Sequence, residues 1–211
     1  MTGVQTCALP ISLKRLREEF EQFHGREKSA GAEEIRKLVG ALGHGDRHIR
    51  YAARIGLEYQ AQQSWADYVL ESPDPAIVIN GVIGLARQDN PEMQPRLITA
   101  LRRLPYARLT PERQLDLLRA WQLVFVRLGP PEESLAKELA DELVVHFPAR
   151  ELAGSKSAMI GDGGYALPML EALNRELLIL LVYLQSDQVA ALAMEELRRE
   201  RRLGETESPQ L

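Results

Sequence analysis

His44 and His48 have i, i+4 spacing, which on one continuous helix would turn both imidazoles to the same side, as a zinc site requires. The Gly45-Asp46 turn interrupts any such helix, no third ligand sits nearby, and no His-Glu-x-x-His occurs, so the pattern argues against a metal centre. Gly161-Asp162-Gly163-Gly164 could present backbone N–H groups to an anion, yet it lacks the Gly-Lys-Ser/Thr of a phosphate loop and no strand pattern precedes it. Ser155 and Ser157 flank Lys156, but no histidine or Gly-x-Ser-x-Gly elbow supports a nucleophile there. Asn174, Arg175 and Glu176 lie early in an apolar helix pattern, where desolvated charges must be paired, so they read as a structural polar cluster. Lys14, Arg15 and Arg17 are balanced at once by Glu18, Glu19 and Glu21, a solvated helix face. No catalytic set converges. The expectation is a chain that is not an enzyme, with no catalytic, metal or cofactor-binding residue and no cofactor.

Composition restricts the function further. The chain has 211 residues, a net charge of −4, 45% hydrophobic residues and only 6% aromatics. With 26 Lys+Arg against 30 Asp+Glu, no global positive field drives it to nucleic acid or an anionic membrane. The single cysteine, Cys7, can form neither an internal disulfide nor the Cys-x-x-Cys-His attachment of a c-type haem. No apolar run is long enough to span a bilayer.

The elements that must position these residues are helical from Leu13 onward. Ile35, Leu38, Val39 and Leu42 make one apolar stripe on a helix near 33–42, ended by Gly43-His44-Gly45. Asp46 then supplies an N-cap, and Ile49, Ala52, Ala53, Gly56 and Leu57 form the next stripe, with small residues that admit a close neighbour. Trp65 and Val69 lead through Ser72-Pro73-Asp74-Pro75 into an almost wholly apolar helix at 77–86. Further helices are expected around 93–104, from Thr110 to Leu128, at 132–147, at 169–185 and at 187–201, with a first helix at 13–24. The second helix of each pair begins near 46, 75, 111 and 171, a period of about 30–45 residues in the early pairs that marks an α-solenoid.

Asp46-Arg47-His48-Ile49-Arg50-Tyr51-Ala52-Ala53 resembles the second-helix motif of HEAT repeats, Asp-x-x-Val/Ile-Arg-x-x-Ala. The resemblance implies an all-α, HEAT-like α-solenoid of stacked antiparallel helix pairs in a right-handed superhelix. In it Asp46 caps the helix, Ile49 and Ala53 pack, and Arg50 joins an inter-repeat ladder. Asp46 and Arg50 at i, i+4 would also support each other by roughly 0.2–0.5 kcal/mol.

A narrower resemblance rests on motifs that occur in order: Glu21-Gln22-Phe23-His24-Gly25, Arg50-Tyr51-Ala52-Ala53-Arg54, Gln114 to Ala120, Phe125-Val126-Arg127-Leu128-Gly129, Leu173-Asn174-Arg175-Glu176-Leu177 and Leu181-Val182-Tyr183-Leu184. Together they are similar to the HEAT-repeat segment of large secreted bacterial proteins that carry a sugar-dehydrogenase-like β-propeller upstream and a c-type cytochrome domain downstream. The resemblance implies a periplasmic or secreted parent protein.

Residues 1–12 are uncharged and aperiodic, and Thr2 to Ile11 resembles a translated sequencing-library adapter. The expectation is a non-native segment at 1–12, with the natural N-terminus further upstream. A helical repeat domain then occupies 13–201 with a loop insertion at 148–168, followed by a disordered polar tail at 202–211. The function that follows is a non-catalytic spacer and docking surface for neighbouring domains of the parent chain or for another protein, with Trp65, Tyr68, Lys156 and Asp162 as candidate contacts. The rival is an enzyme on a HEAT-like scaffold, such as a helical-repeat DNA glycosylase, which needs a positive concave face holding an isolated carboxylate.

Overall fold

The computed structural model describes residues 11–25, 28–150 and 163–206, and every regular element among them is helical. The protein is all-α. It divides into two compact units between Leu104 and Pro105.

In the first unit, α1 (Ile11–Glu21), α2 (Ala32–Ala41), α3 (Arg47–Glu58), α4 (Ala66–Leu70), α5 (Pro75–Arg87) and α6 (Gln94–Arg102) follow one another with short turns. Their starts are chemically specified. The Glu34 carboxylate accepts the Gly31 N–H at 2.7 Å ahead of α2. Asp46 Oδ1 accepts the N–H groups of His48 and Ile49 at 2.7 and 3.2 Å, and Asp74 Oδ1 accepts that of Ala76 at 2.8 Å, so the orphan amides of α3 and α5 are satisfied. α3 packs on α1, α2 and α5, and α4 packs on α2, α5 and α6. The α3 stripe of Ile49, Ala52, Ala53, Gly56 and Leu57 is buried, and so is most of α5. Each such large side chain contributes roughly 1.5–3 kcal/mol by leaving water.

One contact requires glycine. A Cβ on Gly81 would lie 2.1 Å from Val69 Cγ1, so α4 and α5 touch at van der Waals distance only because Gly81 has no side chain.

Side-chain amides tie successive turns together. Gln60 Oε1 accepts the Ala30 N–H at 2.8 Å, and Gln88 Nε2 donates to the carbonyls of Glu58 and Gln60 at 3.0 and 2.9 Å. Asn90 Nδ2 donates to Gln62 Oε1 at 2.7 Å. Arg103 Nη2 donates to the carbonyls of Leu70 and Ser72 at 2.7 and 3.0 Å.

In the second unit, α7 (Pro111–Leu128), α8 (Glu133–Val144) and α10 (Val189–Thr206) flank α9 (Gly163–Tyr183), which packs on all three. Thr110 caps α7 through the Arg113 N–H, and Gly129 ends it at φ 93°, a value that favours glycine. The core of this unit gathers Leu117, Leu118, Trp121 and Phe125 against Leu173, Leu177, Leu180 and Leu181.

Three expected boundaries move. α1 begins at Ile11, inside the segment 1–12, because a helix nucleated by the following charged turns extends backward at little cost; residues 1–10 lie outside the described residues. α9 begins at Gly163 and runs through Pro168, so residues 163–168 of the expected loop are helical. Proline keeps a helical φ and forfeits a single bond near the helix start. α10 continues to Thr206, since Arg198 to Leu203 are good helix formers; of the expected tail, residues 207–211 lie outside the described residues.

Candidate functional site

The residues of α3 that do not face the core form a second stripe. Arg47, Arg50, Tyr51 and Arg54 recur at i, i+3, i+4 and i+7 and therefore share one side of the helix. With His48 and with Asn80 of α5 they line a groove of about 300 Å³. Arg54 is held over the Tyr51 ring, 5.4 Å from its centroid, and Tyr51 is 56% exposed, so its edge remains available. Asn80 Nδ2 donates to the carbonyls of Ala76 and Leu42 at 2.9 and 3.2 Å, which fixes its amide at the groove wall.

Glu58, one turn further along α3, lies 3.4 Å from Arg54 Nε and 3.0 Å from Arg87 Nε. Its carboxylate is committed to two guanidinium groups. Neither Arg47 nor Arg50 has an ion-pair partner among the described residues. Arg50 Nη1 instead donates to the carbonyls of His44 and Gly45 at 2.8 and 2.9 Å, closing the turn before α3. The expected Asp46–Arg50 pair is therefore replaced: Asp46 is spent on backbone amides and Arg50 on backbone carbonyls. Partial desolvation pushes the Asp46 carboxyl up, but the Ile49 and His48 amides, with the nearby imidazoles, outweigh it and hold the group below the usual carboxylate range.

The Asn174-Arg175-Glu176 set separates into three roles. Asn174 clamps Ala149, with Oδ1 accepting its N–H at 2.6 Å and Nδ2 donating to its carbonyl at 3.0 Å. Glu176 is buried and receives Gln122 Nε2 at 3.0 Å and the Arg119 guanidinium at 3.4 Å. Arg175 is exposed at the rim, 3.5 Å from the same carboxylate. Glu176 and Arg175 thus share one carboxylate-centred cluster with Arg119 and Gln122, while Asn174 serves the Ala149 backbone.

Of the candidate contacts, Tyr68 is on the surface, with Arg36 above its ring. Trp65 is not: it is 0% exposed, and its indole lies where a side chain on Gly84 would meet it at 3.1 Å. A residue that fills the α4–α5 interior offers no partner a surface. Lys156 and Asp162 lie outside the described residues. His44 and His48 make local contacts, His44 Nδ1 accepting the Asp46 N–H at 2.9 Å, and no group of metal-ligating side chains occurs among the described residues.

A larger cavity of about 740 Å³ lies in the second unit, where the Pro130-Pro131 turn and α8 meet the end of α9 at Tyr183 to Asp187. Its walls carry Glu133, Asp141 and Asp187 against Lys137 alone, so its lining is net acidic. The basic groove on α3 was within reach of the sequence, since the four residues at helical spacing lie opposite the apolar stripe. Of the polar residues in that helix, the HEAT-like motif gives roles to Asp46 and Arg50 and none to Arg47, Tyr51 or Arg54. No protein-family model, no curated protein and no solved structure matches the chain. No helix among the described residues is long and apolar enough to cross a membrane.

Proposed function

We propose that the chain is a non-catalytic helical-repeat scaffold, a HEAT-like solenoid whose exposed helix faces dock neighbouring domains or another protein. The observation that carries this reading is the recurrence of one structural device along the first unit. Gln60 reaches back to residue 30 and Gln88 to residues 58 and 60, each tying the end of a second helix to the preceding turn. Stacked units that cannot bury their stripes alone need such links, and the product is an extended surface rather than a closed pocket. On the ordered motifs between residues 21 and 184, the scaffold belongs to a larger periplasmic or secreted bacterial protein. There it stands between a dehydrogenase-like propeller and a c-type cytochrome domain.

The second reading, a DNA glycosylase on the same kind of scaffold, draws on the arginines gathered around Glu58. A catalytic carboxylate must be free to meet a developing charge, and Glu58 is held by two guanidinium groups, which favours the scaffold. Incubation of the full chain with alkylated duplex DNA tests the choice. No base release is expected, and release above the protein-free rate overturns the scaffold reading. The uninterrupted genomic reading frame tests the parent: a propeller and a cytochrome domain are expected on its two sides, and their absence removes the parent protein.

A further inference from the structure

We infer that the groove between α3 and α5 binds an acidic peptide segment of a partner protein, seating a carboxylate among Arg47, Arg50 and Arg54 beside the Tyr51 ring. The inference rests on the scaffold reading and names the partner chemistry of one of its faces.

Charge is the first argument. The chain as a whole carries −4, yet the groove is lined by three arginines and a histidine, and no acidic side chain lines it. Asp46, at the base of α3, directs its carboxylate oxygen to backbone amides, and Glu58 is neutralised by Arg54 and Arg87. Among the described residues, the solvent-facing N–H groups of Arg47 and Arg50 therefore have no anion to satisfy them. A guanidinium fork matches a carboxylate in a two-point, charge-assisted arrangement.

Rigidity is the second. Arg50 is fixed by two carbonyl acceptors, Arg54 by the Tyr51 ring and Glu58, and Asn80 by two carbonyls. Side chains held in place lose little freedom when a ligand arrives, which lowers the cost of binding.

The same groove is poorly suited to nucleic acid. From Arg47 to Arg54 the basic stripe runs roughly 10 Å along the helix, at about 1.5 Å per residue. That length meets only a few phosphates, whereas nucleic-acid affinity is built from many.

The test is fluorescence anisotropy with the full chain and three labelled probes: a Glu-rich peptide of about ten residues, its Gln counterpart, and an oligothymidylate of similar length. Saturable binding of the Glu peptide is expected, weakened by salt, with the Gln peptide and the oligothymidylate at least about tenfold weaker. Arg47→Glu and Tyr51→Ala, both at exposed positions, should each weaken the Glu peptide, the charge reversal by about tenfold, with the melting temperature unchanged. Arg108→Glu, an exposed position in the second unit, should have no effect. Equal losses from Arg47→Glu and Arg108→Glu, no saturable peptide binding, or tighter binding of the oligothymidylate would each overturn the inference. A groove that ignores the peptide leaves the scaffold intact, whereas base release from alkylated DNA removes the scaffold itself.

Discussion

Gln88 donates its side-chain amide to the main-chain carbonyl of Gln60 at 2.9 Å, and Gln60 in turn accepts the Ala30 N–H on its own side chain at 2.8 Å. Two glutamines just past the ends of α3 and α5 thus perform the same service. Gln60 is itself buried, and its amide reaches out of the core to bond the half-buried Ala30 N–H and the Lys28 carbonyl. Helix faces alone would let neighbouring pairs slide; a hydrogen bond from each pair to the turn before it fixes their register.

Gln60→Ala should therefore remove about 1–3 kcal/mol, because the Ala30 N–H loses its acceptor in a partly buried place. For a unit of this size that lowers the melting temperature by roughly 4–8 °C per kcal/mol. Gln88→Ala should act in the same direction, freeing the carbonyls of Glu58 and Gln60. Circular-dichroism melts of the two variants check both, and an unchanged melting temperature for either would show that helix packing sets the register without the amide.

Gly81→Ala should destabilise by about 1–3 kcal/mol, since the new methyl group would sit 2.1, 2.7 and 2.9 Å from the three branched carbons of Val69. The side chain in the way belongs to a β-branched residue on the facing helix and cannot rotate clear. Adding Val69→Ala to Gly81→Ala should recover part of the loss, and urea denaturation of the double-mutant cycle reads this coupling directly. Strict additivity would mean that α4 simply moves away.

Three of the helices were plainly legible because each is written twice, in an apolar period and in a cap. Asp46, Asp74 and Thr110 are oxygen-bearing residues ahead of periodic runs, and α3, α5 and α7 begin immediately after them. Pro168 is a misleading signal for the opposite reason, since a lone proline looks like a boundary when only local propensity is weighed. Trp65 shows a different limit. An aromatic residue in a short polar stretch looks like an exposed contact, and only the absence of a side chain on Gly84, far along the chain, reveals the space that receives it. The groove on α3 was half legible: helical spacing places Arg47, Arg50, Tyr51 and Arg54 together, but nothing local shows that Asn80 closes the opposite wall.

The Glu176 cluster makes an ordered prediction. Glu176 is buried at 8% exposure, whereas its partner Arg119 is half exposed and can turn to water. Arg119→Ala should leave a desolvated carboxylate with Gln122 and the rim Arg175 as its remaining partners, and Glu176→Gln should keep the bond to Gln122 while removing the charge. Loss of stability should therefore be larger for Arg119→Ala than for Glu176→Gln. The reverse order in chemical denaturation would mean that Glu176 is well solvated and the cluster is surface decoration.

Stability should also fall on mild acidification, through His146. Its imidazole lies beside the Tyr106 ring, with centroids 4.6 Å apart, and burial pushes it below its ordinary value of 6.5. Burial likewise pushes the Tyr106 phenol up, so the neighbouring group stays neutral throughout the same range. Because the folded imidazole binds its proton less readily than the unfolded one, the unfolded chain takes up more protons as pH drops through about 6.5, and the equilibrium shifts toward it. The melting temperature of the second unit should hold above about pH 7 and decline toward about pH 5.5, with His146→Gln flattening that part of the profile. Asp46 contributes separately at lower pH: its depressed carboxyl supports the α3 cap above the ordinary carboxylate range and loses that support as the pH falls through its folded value. A profile in which His146→Gln leaves the decline above pH 5 unaltered would place the sensitive group elsewhere in the unit.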